Sequence, residues 1–165
     1  MDTLQSKVTL RSISDADREQ VIAIVTSPEV NKSYMIPDLT PEQAEGMFFR
    51  LKAMSQDENR FIRGIYLEDT LVGFLNDTDV TDAHWELGWA MHPQYHNRGI
   101  ATCAVKLAIE ALFQRGVPAV LAGAFDWNIP SMRVMEKCGM KKIPMTESID
   151  YRGKTHTCLF YRIEP

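Results

Sequence analysis

The sequence predicts an α/β sandwich: one domain over residues 1–165, with a mixed central sheet of about seven strands flanked by about four helices. Three observations carry this. β-rich runs alternate with stretches of helical period along the whole chain. Residues 60–92 read as three successive strands joined by short turns, a meander. The short apolar run Ala119–Phe125 follows a long amphipathic helix, as expected for a strand reached by a crossover and covered on both faces.

The elements follow in order. "VTLRSI" (8–13) alternates as a first strand. Ser14 or Asp15 caps a helix over 15–26, which ends at "SPEV". Thr40 as N-cap and Pro41 at the first helical position start a second helix over 41–54. "RFIRGIYL", "LVGFLNDTDV" and "HWELGWAMH" form the meander. Residues 99–115 carry apolar side chains at a helical period, and Gly116 and Pro118 end that helix. The strand 119–125 should then run parallel to 84–92. Asn128 caps a fourth helix that stops at Gly139. "MKKIPMTESI" and "THTCLFYRI" make a closing antiparallel pair around "YRGK".

Composition narrows the function classes. With 45% hydrophobic and 24% charged residues, the chain reads as an ordinary globular domain. A net charge of -4 supplies no basic field for nucleic acid, so any anionic ligand must be held locally. No stretch is long and apolar enough for a membrane or a leader. The three cysteines (Cys103, Cys138, Cys158) have no metal-ligand or CxxC spacing and read as buried thiols in a reducing compartment. A cytoplasmic protein is expected. The four histidines show no HxxxH or HExxH spacing, so no metal is expected.

The chemistry centres on "HPQYHNRGIATCAV" (92–105), where a strand ends, a polar loop turns and a helix begins. Asn97 tolerates a left-handed backbone, and Gly99 permits a close approach that a β-carbon forbids. Successive N–H groups there form a nest at the positive end of a helix dipole. That arrangement suits a pyrophosphate, with Arg98 as a nearby cation. A Walker lysine and a GxGxxG pattern are both absent, which disfavours a nucleotide-binding domain.

His96-Asn97-Arg98-Gly99-Ile100-Ala101 resembles the acetyl-CoA motif of the GNAT superfamily of N-acetyltransferases, Gln/Arg-x-x-Gly-x-Gly/Ala, with His96 departing at the first position. "WELGWAMHPQYHNRGIATCAVKLAIEALF" followed by "DWNIPSMRVMEKCGM" is similar to the branch that acetylates the N-termini of ribosomal proteins and related small amines. The resemblance implies acetyl-CoA as co-substrate. It further implies a bulged strand at "WAMHP" whose main chain at Trp89 and Met91 hydrogen-bonds the pantetheine arm. The pyrophosphate would sit on the N–H groups of His96 to Ala101. Asn128 would contact the pantetheine, and Ser131 would lie near the sulfur as an acid to the leaving thiolate.

Acetylating an amine requires a neutral nucleophile, and free amines are mostly protonated at pH 7. Glu86 and His84 lie two apart on one strand, so both face one side. Either is a candidate base, Glu86 acting through water, with the Met91 N–H as oxyanion donor. In such a fold the acceptor enters opposite the co-substrate, with Tyr34, Met35 and Ile36 as its lip. Trp127 faces either this cleft or the adenine side. The expected partner is a small-molecule or peptide amine; a homodimer is compatible with the chain. The alternative function is a non-catalytic acyl-CoA-binding sensor.

Overall fold

The computed structural model describes residues 3–165. Seven strands form one sheet in the order β1-β2-β3-β4-β5-β7-β6. They are β1 (Val8–Arg11), β2 (Ile62–Leu67), β3 (Thr70–Val80), β4 (Trp85–Met91), β5 (Val120–Phe125), β6 (Lys141–Tyr151) and β7 (Lys154–Ile163). β4 and β5 pair parallel and every other pair is antiparallel. The four helices are α1 (Arg18–Val25), α2 (Pro41–Met54), α3 (Ile100–Gln114) and α4 (Ile129–Lys137).

The helices divide between the two faces. α3 and α4 bury Ala104, Ala108, Leu112 and Met135 against Ile65, Leu75, Leu87 and Val120 of the sheet. α1 and α2 bury Val21, Ile24, Ala44 and Phe48 against Phe74 and Ala90 on the opposite face. Alternation along β4 is the reason one strand serves both cores: Leu87 and Met91 point one way, Ala90 the other.

Helix starts follow the local chemistry. Thr40 Oγ1 accepts from the Gln43 N–H at 3.2 Å while Gln43 Oε1 accepts from the Thr40 N–H at 2.9 Å, a reciprocal cap before Pro41. Two boundaries differ from the sequence expectation. β1 stops at Arg11 rather than residue 13, because the Ile13 N–H turns aside to Ser55 Oγ at 2.9 Å. The helix expected over 15–26 divides into a 3-10 turn, Asp15–Asp17, and α1. There the Asp17 carboxylate accepts from the Ser14 N–H at 2.9 Å and the Tyr66 hydroxyl at 2.6 Å, tying the turn to β2.

Candidate active site

The parallel neighbours separate. β4 pairs with β5 only at Trp85–Val120, Glu86–Leu121 and Leu87–Ala122, while β5 continues along β7 to Phe125. Gly88 to Met91 therefore have no strand partner on that side. The Trp85 N–H reaches the Ala119 carbonyl at 3.0 Å, and the His92 N–H reaches Val72 of β3 at 2.8 Å. Alternation between these two fixed points turns the main chain of Trp89 and Met91 into the gap. The expected bulge is present on the other strand. Thr78 of β3 is the extra residue between Asp77–Leu87 and Asp79–Glu86, and β4 itself runs without an insertion.

The two helices that follow the splayed strands begin at the same edge of the sheet. At α3, Asn97 and Gly99 both take left-handed backbone, with φ of 59° and 76°. The first bond into α3 runs from the Cys103 N–H to the Gly99 carbonyl at 3.2 Å. Among the described residues, none accepts from the N–H of Asn97, Arg98, Gly99, Ile100 or Ala101. Asn97, Arg98 and Gly99 are exposed, Ala101 is half-buried and Ile100 is buried, and the accessible donors at this helix N-terminus fit a pyrophosphate. The Arg98 guanidinium lies 5.2 Å over the Tyr95 ring beside them. The His96 side chain, though exposed, turns back along the loop instead, with Nε2 2.8 Å from the Met91 carbonyl.

At α4, Asn128 Oδ1 accepts from the Ser131 N–H at 3.3 Å. The cap engages the oxygen of that amide and leaves its NH₂ able to donate elsewhere. Ser131 is half-buried in the first turn of α4, beside the cap.

On the α1–α2 face, Glu86, Gly88 and Asn76 share one surface, since Gly88 stands opposite Asn76. Thr78 Oγ1 donates to Glu86 Oε2 at 2.5 Å, and the Tyr34 hydroxyl donates to Asn76 Oδ1 at 2.6 Å. Burial pushes the Tyr34 phenol up to about 12 against that hydrogen bond, so it remains neutral. A β-carbon on Gly88 would stand 3.3 Å from Thr78 and 3.8 Å from the Tyr34 ring. The absent side chain is what keeps this floor open. His84, the other candidate base, is held 3.1 Å from Asp79 in the turn before β4.

The lip residues part company. Met35 is 54% exposed, whereas Ile36 is 2% exposed in the α1–α2 core. The Ile36 carbonyl accepts from the Tyr151 hydroxyl at 3.1 Å and Arg152 Nη2 at 2.9 Å, so it is main chain rather than side chain that this residue presents. The tip of the β6–β7 hairpin thus grips the loop 31–40. Trp127 Nε1 donates to His156 Nδ1 at 3.0 Å, and His156 stacks on Phe125 at 4.5 Å. Phe125 packs with Cys158, Phe160 and Tyr151, which places Trp127 on the side of the sheet that carries the loop 31–40.

Asn76, Thr78, Tyr151 and His156 were not singled out from sequence. Asn76 and Thr78 left one signal, polar residues ending an otherwise apolar run on β3. Two grooves of about 390 Å³ lie elsewhere, one lined by Lys106, Phe113 and Cys138, the other by Leu10, Phe61 and Arg115. Neither touches the gap.

A family model described as an acetyltransferase (GNAT) domain matches residues 7–141. The chain belongs to the GNAT acetyltransferase family. Among curated GNAT relatives, YnaD of Bacillus subtilis strain 168, an uncharacterized N-acetyltransferase, is 26% identical over 144 residues, 86% of this chain and 84% of that protein. Two solved structures share the GNAT fold. The microcin C7 self-immunity acetyltransferase MccE, in complex with acetyl-CoA and AMP, gives a TM-score of 0.82 at 15% identity, covering 96% of this chain and 93% of that one. RimL, a ribosomal L7/L12 alpha-N-protein acetyltransferase in complex with coenzyme A, gives 0.82 at 14% identity, covering 98% and 96%. Acetyl-CoA fits this chain as the co-substrate.

Proposed function

We propose that this protein transfers an acetyl group from acetyl-CoA to a primary amine, of a small molecule or a peptide N-terminus, by direct attack on the thioester. One observation carries the reading: β4–β5 pairing ends at Leu87–Ala122, beside unsatisfied amides at the start of α3. The slot offers unpaired main-chain groups to an added strand-like arm, and its end offers N–H donors at a helix N-terminus to a diphosphate.

The residues divide the work. The N–H groups from Asn97 to Ala101 hold the pyrophosphate, with Arg98 adding charge; the His96 N–H, expected among them, donates instead to the Pro93 carbonyl at 3.3 Å. Trp89 and Met91 bind the pantetheine through their main chain, and the Asn128 amide NH₂ binds it from the opposite wall. Ser131 donates to the leaving thiolate. Tyr34, Met35 and the Ile36 main chain form the acceptor lip. Glu86 takes the proton from the amine through water.

Distance along the strand reassigns one role. At roughly 3.4 Å per residue, Trp89 lies about 10 Å from Glu86 and Met91 about 17 Å. One or two waters span the shorter gap only. The Trp89 N–H, rather than that of Met91, is therefore the donor to the charge developing on the thioester oxygen.

The test has two stages. Acetyl-CoA at 100 times its Kd should stabilise the fold by about 2.7 kcal/mol in thermal unfolding. Coenzyme A thiol release is then followed across small amines and N-terminal peptides. Amine-dependent release is the expected result. Binding without release from any amine supports the acyl-CoA sensor instead, and absence of both overturns the site.

A further inference from the structure

Two buried side-chain oxygens lack a hydrogen-bond partner among the described residues, Gln20 Oε1 on α1 and Asn31 Oδ1. Native proteins pair nearly all such atoms, so each exception calls for an explanation. Asn31 is 6% exposed and stands in the 3-10 turn Val30–Lys32, where the acceptor loop begins. Its main chain is fully engaged. The N–H donates to the Ser27 carbonyl at 3.0 Å, and the carbonyl accepts from the Tyr151 hydroxyl. Its carboxamide oxygen is the atom left over.

The surroundings bear on what that oxygen is for. Tyr34, three residues on, reaches across the floor at Gly88, and Tyr151 joins the turn to the Phe125–His156 wall. Asn31 is thus fixed between two sides of the proposed acceptor cleft. Packing does not require an amide here: leucine has the same branched skeleton of four side-chain heavy atoms, though bulkier, and would leave no buried polar atom unpaired. A carboxamide oxygen can only accept. The charge on the wall formed by Cys158 has the matching sign: no cation stands within 4.0 Å of Glu86 or Glu147 among the described residues, and after burial itself both carboxylates push the Cys158 thiol up.

We propose that the Asn31 carboxamide is an acceptor-recognition group, taking an N–H donor that the acceptor carries in addition to the amine it gives up to acetylation. The oxygen is covered while the cleft is empty of acceptor, so binding includes a turn of the amide toward the cleft. The second N–H belongs either to the first peptide bond of an N-terminus or to a second amino group of a diamine. The inference rests on the acetyl-transfer reading of the cleft.

The experiment compares three probes in the thiol-release assay: a dipeptide amide, an aliphatic diamine, and a monoamine of matched length without a second N–H. Wild-type protein should favour one of the first two over the monoamine by at least 10-fold in kcat/KM, and which one identifies the source of the donor. Asn31→Leu should bring that ratio to about 1, through KM for the amine, with KM for acetyl-CoA unchanged. The melting temperature of Asn31→Leu should equal or exceed that of wild type. A fall in melting temperature with an unchanged ratio would assign Asn31 to the fold, through a buried water, and overturn the proposal. A wild-type ratio near 1 overturns it even where the variant does not fold. Wild type that neither binds acetyl-CoA nor releases thiol removes the underlying reading, which is a separate failure.

Discussion

The imidazole of His96 donates from Nε2 to the main-chain carbonyl of Met91 at 2.8 Å. A carbonyl only accepts, so that nitrogen carries the proton. The bond closes a ring from the end of β4, through the turn Pro93–Tyr95, to the start of the nest. It also occupies the Met91 carbonyl, leaving the N–H as that residue's free group at the gap. His96→Ala should unpin the nest and weaken acetyl-CoA binding about 5- to 10-fold, the worth of one such bond. Glutamine keeps a donor and should restore most of it. Calorimetric Kd values for both variants decide this, and equal affinity for Ala and wild type would strip His96 of the role.

Gly99 is the point of the same loop where a β-carbon would bring strain. Its φ of 76° is left-handed, and an added β-carbon would sit 3.4 Å from Leu4 Cδ2. Left-handed backbone costs an L-residue roughly 1–2 kcal/mol, more with β-branching. Gly99→Val should lower the melting temperature and raise the acetyl-CoA Kd more than 10-fold. Normal affinity in a folded Gly99→Val variant would move the pyrophosphate site elsewhere.

How far sequence reached follows from which contacts are local. Thr40, Pro41, Asn128 and Gly99 act on their own or adjacent turns, and each performs in the structure the backbone role its type suggested. Parallel pairing of β4 with β5 followed from the single helix between them. The point at which that pairing stops depends on how β5 is drawn toward β7, whose paired residues lie 33 to 43 positions downstream (Phe125 with Cys158, Val120 with Ile163). The turn of His96 toward Met91, the seat of the extra residue on β3 and the burial of Ile36 are equally tertiary. Tyr151 and His156 looked like hairpin residues, because their partners on the acceptor loop and at Trp127 are remote in sequence.

Glu86 should behave as a chemical rather than a structural carboxylate. It faces the open floor at Gly88 and is held by one hydroxyl, that of Thr78. Glu86→Gln keeps the shape and removes the proton acceptor. We expect kcat to fall about 10²- to 10⁴-fold with the acetyl-CoA Kd unchanged. A kcat within threefold of wild type would transfer deprotonation to bulk water.

Asp77 is the opposite case. It is 2% exposed, and its carboxylate takes Arg60 Nε at 2.9 and 3.0 Å and the Phe61 N–H at 2.8 Å. It anchors the entry to β2 on the strand that also carries Asn76 and Thr78. Asp77→Asn leaves Arg60 poorly matched and should cost about 2 kcal/mol in urea unfolding. Because the nest begins beyond Met91, four residues along β4 from Leu87, the partner of Asp77, acetyl-CoA affinity of the folded fraction should hold.

The free thiols give the fold an alkaline limit. Burial pushes Cys138 and Cys158 from 9.0 up to about 11 each, and Tyr34 from 10.0 to about 12. Below pH 9 these groups are protonated in both the folded and unfolded chains, so they leave stability unchanged. Between pH 9 and 11 the unfolded chain releases thiol protons that the folded chain retains, and stability falls. The Tyr34 phenol extends the decline from pH 10 to about 12. Urea midpoints under reducing conditions should hold from pH 7.5 to 8.5 and drop progressively from 9 to 11. The double variant Cys138→Ala, Cys158→Ala should start lower, from two small cavities, and decline less steeply across the same window. Parallel curves for wild type and double variant would place both thiols in contact with water, and the half-core around Cys158 that lines the acceptor wall would then be looser than its packing indicates.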